Sequence, residues 1–468
     1  MRFWLGFLLT YTAWVWSGLR PSFHWVGVGI AGILLVTVLL HAWRVVMRDP
    51  VFWLGVCFVG YLLLQCANAG RELYFDVGYQ RWRYLPPPWP GWPSAFARAD
   101  AWQMVTWFFP AWVVAVALRG RLMSRRDVRG LLFFLACQAG ALAVFGIVQM
   151  ISGTGSIYWL QPLRGYFFAS FAYGNHTAPY FVLFGALTAG LLYADVLDSR
   201  LTEANGSRTH LRHPVRVAVL VVLLLLCLAG AILGFSRAGV ILACGLSAVI
   251  LAYGIVRGWK ILPPAGRLNL VALSLAAASS LYFVVVSLGE RGIQKEFTLR
   301  GPFAGEVPQT LWERMNLELG FRPKFAQAAV AIWREAPWWG VGGWGYKYRV
   351  ADHVPEKFWN SLERRGWANV HFDFLQFLAE FGLVGMGLLM GALSVMVWHL
   401  FRGPRRGALW VMGVGGLALV VVFSLIDLPF RCPAILLTWV AVLGALPVAC
   451  EARHLTQPSQ VVGLNSKG

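Results

Sequence analysis

Val215-Arg216-Val217-Ala218-Val219-Leu220-Val221-Val222-Leu223-Leu224-Leu225-Leu226-Cys227-Leu228-Ala229-Gly230-Ala231-Ile232-Leu233-Gly234 decides the class of fold. Only Arg216 in it is charged, and it sits at the edge. As a helix the block is about 30 Å long, which matches the hydrocarbon core of a bilayer. A helix packed on the core of a soluble protein would show a polar face recurring every three to four residues, and this block has none. It therefore reads as a membrane span.

Eleven further blocks repeat the pattern. The spans expected are 3–19, 23–42, 51–67, 102–118, 130–151, 176–195, 215–234, 238–256, 268–288, 371–398, 408–426 and 433–449. The whole chain agrees: 58% of its 468 residues are hydrophobic and only 13% are charged, about half the charge of a soluble protein. The fold class expected is all-α, a polytopic membrane protein with about twelve transmembrane helices. A formal charge of +19 would suit a nucleic-acid binder. Here, however, the basic residues sit mainly in short loops between apolar blocks, so no nucleic-acid partner is expected. The seven cysteines lie mostly inside apolar blocks without a CxxC pair, and read as small apolar residues. No small-residue cleavage site follows the first block, so it reads as a retained span.

Orientation follows from arginine and lysine in the short loops. Loop 119–129 holds Arg119, Arg121, Arg125, Arg126 and Arg129; loop 196–214 holds Arg200, Arg208 and Arg212. Loop 257–267 holds Arg257, Lys260 and Arg267, and Arg402, Arg405 and Arg406 follow later. With twelve spans all four lie on one side, which is then cytoplasmic together with both termini. The other side carries two long loops. Loop 68–101 contains Pro86-Pro87-Pro88-Trp89-Pro90, a stiff aromatic run. Loop 289–370 contains a helix expected near 322–335, stopped by Pro337. The chain divides into 1–160, N-terminal spans with the Pro/Trp loop; 161–450, the remaining spans with loop 289–370; and 451–468, a cytoplasmic tail.

Even-numbered spans begin at the outer face, and several begin with unusual residues. The sixth starts at Gly174-Asn175-His176, the eighth at Ser236-Arg237-Ala238-Gly239, the tenth near His371, and the twelfth at Arg431-Cys432-Pro433 just after Asp427. A helix N-terminus offers free N–H groups and partial positive charge, and an added arginine makes it a phosphate site. Arg237 sits in a hairpin too short to lift it far into water; it either pairs with a ligand or snorkels to headgroups. Arg322 and Arg164 by themselves read as ordinary loop arginines. Asp373, Gln376 and Glu380 share one helix face. A carboxylate as deep as Glu380, about 10 Å below His371, implies a polar cavity rather than lipid contact. His371 can accept a proton near neutral pH, as a general base must. There is no HExxH, Walker loop, GxSxG or DxD pair, and no metal site or cofactor is indicated.

Four segments together resemble one family, the bacterial O-antigen ligase and polymerase superfamily. They are Phe171-Ala172-Tyr173-Gly174-Asn175-His176-Thr177-Ala178; Leu233-Gly234-Phe235-Ser236-Arg237-Ala238-Gly239; Arg322 followed by Pro337-Trp338-Trp339-Gly340-Val341-Gly342; and His371-Phe372-Asp373-Phe374-Leu375-Gln376-Phe377-Leu378-Ala379-Glu380-Phe381-Gly382. The last departs from the family pattern at Phe372, where asparagine is usual. The likeness covers about 165–440. It implies a GT-C-like, metal-independent glycosyltransferase, without a cofactor, at the periplasmic face of the bacterial inner membrane. The donor implied is a glycan on undecaprenyl diphosphate. The acceptor is a glycan chain, lipid A core or protein, with membrane lipid around the site. The resemblance gives His371 the catalytic role and Arg237 and Arg322 the diphosphate. Arg164, Asn175, His176, Ser236, Asp373, Glu380, Asp427 and Arg431 are the expected supporting residues. Ligase and polymerase remain open. So does a transporter of inorganic carbon or another small solute, a function linked to some relatives, although no inverted repeat or pair of broken helices is evident. A structural scaffold in an envelope assembly is a third possibility.

Overall fold

The computed structural model describes residues 1–71, 73–78, 81–163, 167–203, 214–261, 279, 311–355, 369–402 and 407–451, with backbone alone at 81–82, 197–203, 237, 258, 260–261 and 311–321. The helices among them are α1 (Arg2–Trp14), α2 (His24–Val46), α3 (Pro50–Ala67), α4 (Arg98–Arg119), α5 (Arg125–Ile151), α6 (Gly174–Glu203), α7 (Pro214–Leu233), α8 (Arg237–Ile261), α9 (Leu311–Glu335), α10 (Tyr346–Arg349), α11 (Asp373–Phe401), α12 (Ala408–Phe423) and α13 (Pro433–Ala449). Among the described residues strands form two short hairpins, β1 (Leu73–Asp76) with β2 (Arg81–Tyr84), and β3 (Ser156–Ile157) with β4 (Gln161–Pro162), beside isolated bridges at Ala69–Ala95 and Phe168–Phe171. The protein is an all-α membrane protein. Eight of the described helices are long and apolar enough to cross a bilayer, and α12 and α13 are shorter apolar helices.

Most expected spans coincide with these helices, but two differ and a third falls on residues that are not described. The block 3–19 does not run through as one helix. α1 stops at Trp14, and Trp16 and Ser17 take left-handed φ of 53° and 50°. Gly18, at φ +75°, packs so closely on Pro433 that a Cβ would lie 2.7 Å from its Cβ. The tenth span begins at Asp373, not at His371, and is interrupted at Gly382. The ninth, 268–288, lies outside the described residues. The loop helix also reaches further back than expected, to Leu311, with Pro323 inside it. The Pro/Trp loop also contains the β1–β2 hairpin, which precedes the Pro86–Pro90 run.

Side-chain bonds fix which helix ends lie together. Arg2 pairs with Asp127, and Arg119 with Asp49. Arg216 pairs with Asp195, and Arg125 and Arg129 both donate to the Ala449 carbonyl. All of these are at the arginine-loop end. At the opposite end Tyr158 donates to the Trp14 carbonyl and Ser170 to that of Ala13 (2.6 Å), while Lys347 pairs with Asp100. So α1 does pass from one end to the other, helped by the turn after Trp14.

The break in α11 is the feature that positions everything else at this end. Gly382 has φ 62° and ψ −169°, which ends the hydrogen-bond ladder for a residue. The freed groups are taken up by the Pro337–Gly342 turn. Val341 N donates to Ala379 O (3.1 Å) and Gly342 N to Glu380 O (2.8 Å). Leu383 N donates to Pro337 O (2.8 Å) and Val384 N to Trp338 O (3.0 Å). Tyr61 of α3 closes the joint by donating to Trp339 O or Phe381 O, at 2.6 and 3.0 Å. The fit admits only glycine: a Cβ on Gly340 would lie 2.4 Å from the Glu380 carbonyl, and one on Gly382 2.4 Å from Trp338 O. Both glycines also have positive φ, which a side chain resists. Above the break Asp373, Gln376, Phe377, Ala379, Glu380 and Phe381 are buried in protein; below it Leu383 is 44% exposed, as a lipid-facing residue is.

Candidate functional site

At the end opposite the arginine loops, four elements converge on Asp427. It lies in the link between α12 and α13 and is 2% exposed. One carboxylate oxygen accepts from its own neighbour Leu428 N (2.9 Å) and faces His371 Nδ1 at 3.4 Å. The other accepts from the Asn175 amide and from the Tyr173 hydroxyl (3.4 Å). His176 Nε2 lies 3.1 Å from the Leu428 carbonyl. Burial raises the Asp427 pKa, but the His371 hydrogen bond and charge, with the charge of His176, outweigh it and hold the carboxyl below its ordinary value. Tyr173 moves the other way: burial, then the Asp427 charge, push its hydroxyl well up. Tyr173 stays a neutral donor and Asp427 stays an anion.

His371 stands just before α11 in the left-handed region, at φ 56°. Non-glycine residues rarely adopt that conformation, which costs about 1–3 kcal/mol, and such strain clusters at functional sites. Its side chain is 23% exposed, so the ring bridges the buried carboxylate and the surface. Arg322, from α9, donates to Ile426 O at 2.6 Å, one residue before Asp427. A carbonyl leaves the guanidinium charge uncompensated and its other donors available to an anion.

The α7–α8 hairpin reaches the same place by its backbone. A Cβ on Gly234 would be 2.8 Å from Thr177 Cβ, and one on Gly239 2.6 Å from Ala178 Cβ. These two glycines let the start of α8 press against the start of α6. Ser236 Oγ accepts from Gly239 N (3.3 Å) as an N-terminal cap. Arg237 opens α8, so its backbone lies beside the Asn175–His176 turn; its side chain, like all of Arg164, lies outside the described residues.

The Asp373–Gln376–Glu380 stripe faces protein, and where a polar cavity is expected the space is filled by Arg431. Glu380 is fully buried; Arg431 is 3% exposed and pairs with it. The guanidinium lies 4.6 Å from the Trp344 ring and 4.8 Å from that of Phe377. Glu380 also accepts from Trp344 N (3.1 Å) and Gln376 Nε2 (3.0 Å). Asp373 accepts from Phe430 N (2.9 Å). Among the described residues no group of three His, Cys, Asp or Glu side chains converges as metal ligands would.

Residues 222–390 match the family model described as O-antigen ligase. The chain carries an O-antigen ligase family domain. The match supports the resemblance read from the four motifs, three of which lie inside it, and with it the ligase- or polymerase-like glycosyltransferase activity that the family implies. No curated protein matches the chain. The matched stretch of the O-antigen ligase domain contains Arg237, Arg322, His371, Asp373 and Glu380. It leaves out Asn175, His176, Asp427 and Arg431, which the fold nevertheless brings against it. Tyr173, Trp344 and Gly382 were not singled out from sequence. Tyr173 lies one residue before the Gly174-Asn175-His176 start, the only signal that could have pointed to it.

Proposed function

We propose that this protein transfers a glycan from a polyprenyl diphosphate to an acceptor hydroxyl at the periplasmic face of the bacterial inner membrane. His371 is the base. Asp427 faces Nδ1 of its ring, which directs Nε2 outward and stabilises the imidazolium that forms. The acceptor oxygen attacks the anomeric carbon of the donor sugar, and its proton passes to His371. The bond from that carbon to the diphosphate oxygen breaks, and the electron pair leaves on the diphosphate. Arg322 and Arg237, with the free N–H groups at the start of α8, take up that negative charge. The chemistry is that of fixed cations at a developing anion.

The convergence of His371, Asp427 and Arg322 on one end of the bundle is the observation that carries this reading. Sidedness is argued from the arginine loops gathered at the other end. The transporter alternative gains nothing from the break in α11, which is filled by the chain itself. The test is glycan transfer from lipid-linked donor by purified protein in lipid. His371→Ala is expected to lose transfer with unchanged protein level; full activity of that variant would sink the site.

A further inference from the structure

Glu380 occupies an unusual position in the bond network. Three separate segments carry the proposed site: α11 is led by His371, α9 carries Arg322, and the α12–α13 link carries Asp427. Glu380 belongs to the first, is bonded to the third, and is bonded to the turn that follows the second. It lies two and a half turns below His371. Its backbone carbonyl accepts from Gly342 N and its side chain from Trp344 N, both in the turn that follows α9. Its other partner is Arg431, four residues after Asp427. Gln376, on the same face, links it upward to Val370 N (3.0 Å) and the Asn369 side chain (3.2 Å), directly before His371.

An ion pair this deep is not needed for stability. The desolvation of two charges cancels most of their attraction, and apolar replacements of similar volume are often neutral. What the pair supplies is direction. A carboxylate with fixed acceptors and a planar guanidinium held between two rings tolerate only one arrangement of the segments that bear them.

We propose that Glu380 and Arg431 are positioning residues of the transfer site: they set the spacing of His371, Asp427 and Arg322 without touching substrate. The inference rests on the function proposed above. The experiment measures kcat and donor KM of purified protein, with melting temperature as the control for folding, for E380Q, R431K and the double variant E380L/R431M. E380Q and the double variant are expected to lose kcat about 10–100-fold with KM changed less than twofold, because the diphosphate ligands remain while the base is misplaced. R431K keeps the charge but loses the planar contact, and is expected to recover all but three- to tenfold of kcat. A folded double variant with wild-type kcat would overturn the proposal, as would an unchanged kcat with raised KM. If the double variant does not fold, R431K decides: wild-type kcat overturns the proposal and a three- to tenfold loss sustains it. His371→Ala run alongside separates the two ideas. Full transfer by that variant defeats the functional reading, whereas its inactivity beside a fully active E380L/R431M defeats only the positioning role.

Discussion

The two ends of the bundle treat charge in opposite ways. At the arginine-loop end two of the ion pairs are open: Arg2 and Asp127 are 62% and 43% exposed, and Arg216 and Asp195 are 37% and 19% exposed, while Arg119 and Asp49 are 15% and 13% exposed. At the other end Glu380, Asp427 and Arg431 are buried and each is bonded to several neighbours. Exposed pairs contribute little to stability, about 0–1 kcal/mol each; they tell which loops stay on one side of a membrane. Buried charges are expensive to hold and so mark where the chain needs a fixed electrostatic pattern. The same residue type thus carries topological information at one end and chemical information at the other.

Substitutions can break or sharpen that contrast. The largest effect is expected for His371→Ala, which should lower the transfer rate by about 10²–10⁴-fold, the usual contribution of a general base. Arg322→Ala comes next, with a loss of roughly 10²–10³-fold if it stabilises the leaving diphosphate; a rate within twofold of wild type would remove it from the site. Gly340→Ala should act on folding instead. The new Cβ would meet the Glu380 backbone at 2.4 Å, so a lower melting temperature and reduced yield are expected from size-exclusion of the solubilised protein. Asp427 links the two effects through pH. Its folded pKa is lowered, so its stabilising contribution is present above the ordinary carboxylate value and is lost as pH falls through the lowered one. The wild type should therefore melt above the Asp427→Asn variant by a constant margin above about pH 5, and that margin should shrink below about pH 4. The smallest effect belongs to Arg2→Ala at the open end, expected to change stability by less than about 1 kcal/mol and to leave transfer intact.

Much of this was legible in the sequence because hydrocarbon length and loop charge are strong local signals. Arg237 and His371 stood out too, since they sit at or just before element starts where polar residues contrast with apolar surroundings; Arg322, inside its helix, was singled out only by the family resemblance. Pairing was not. His371 and Asp427 are 56 positions apart, and Glu380 and Arg431 are 51 apart; no period or composition joins them. The Gly382 break was hidden for another reason. Glycine is common in membrane helices, and Gly382 is followed by Gly385, Gly387 and Gly391, so one with φ 62° looks like the rest. The first span was misjudged because Trp16-Ser17-Gly18 is apolar enough to extend a helix on hydropathy, while the turn there is set by Pro433, more than four hundred residues away.

The joint at Gly382 has a consequence for how the protein meets bilayers of different thickness. Below it, Leu383–Phe401 is a rod of roughly 28 Å, close to one hydrocarbon thickness. Above it, the turns that follow His371 are fastened to the rest of the protein. When the membrane thins or thickens, a helix answers by tilting; the bonds of Leu383 and Val384 to the Pro337 and Trp338 carbonyls fasten the joint itself, so the tilt is expected below Val384. Transfer rates measured in lipids of different acyl length are expected to stay level, because the lower rod can lean without carrying His371 away from Asp427.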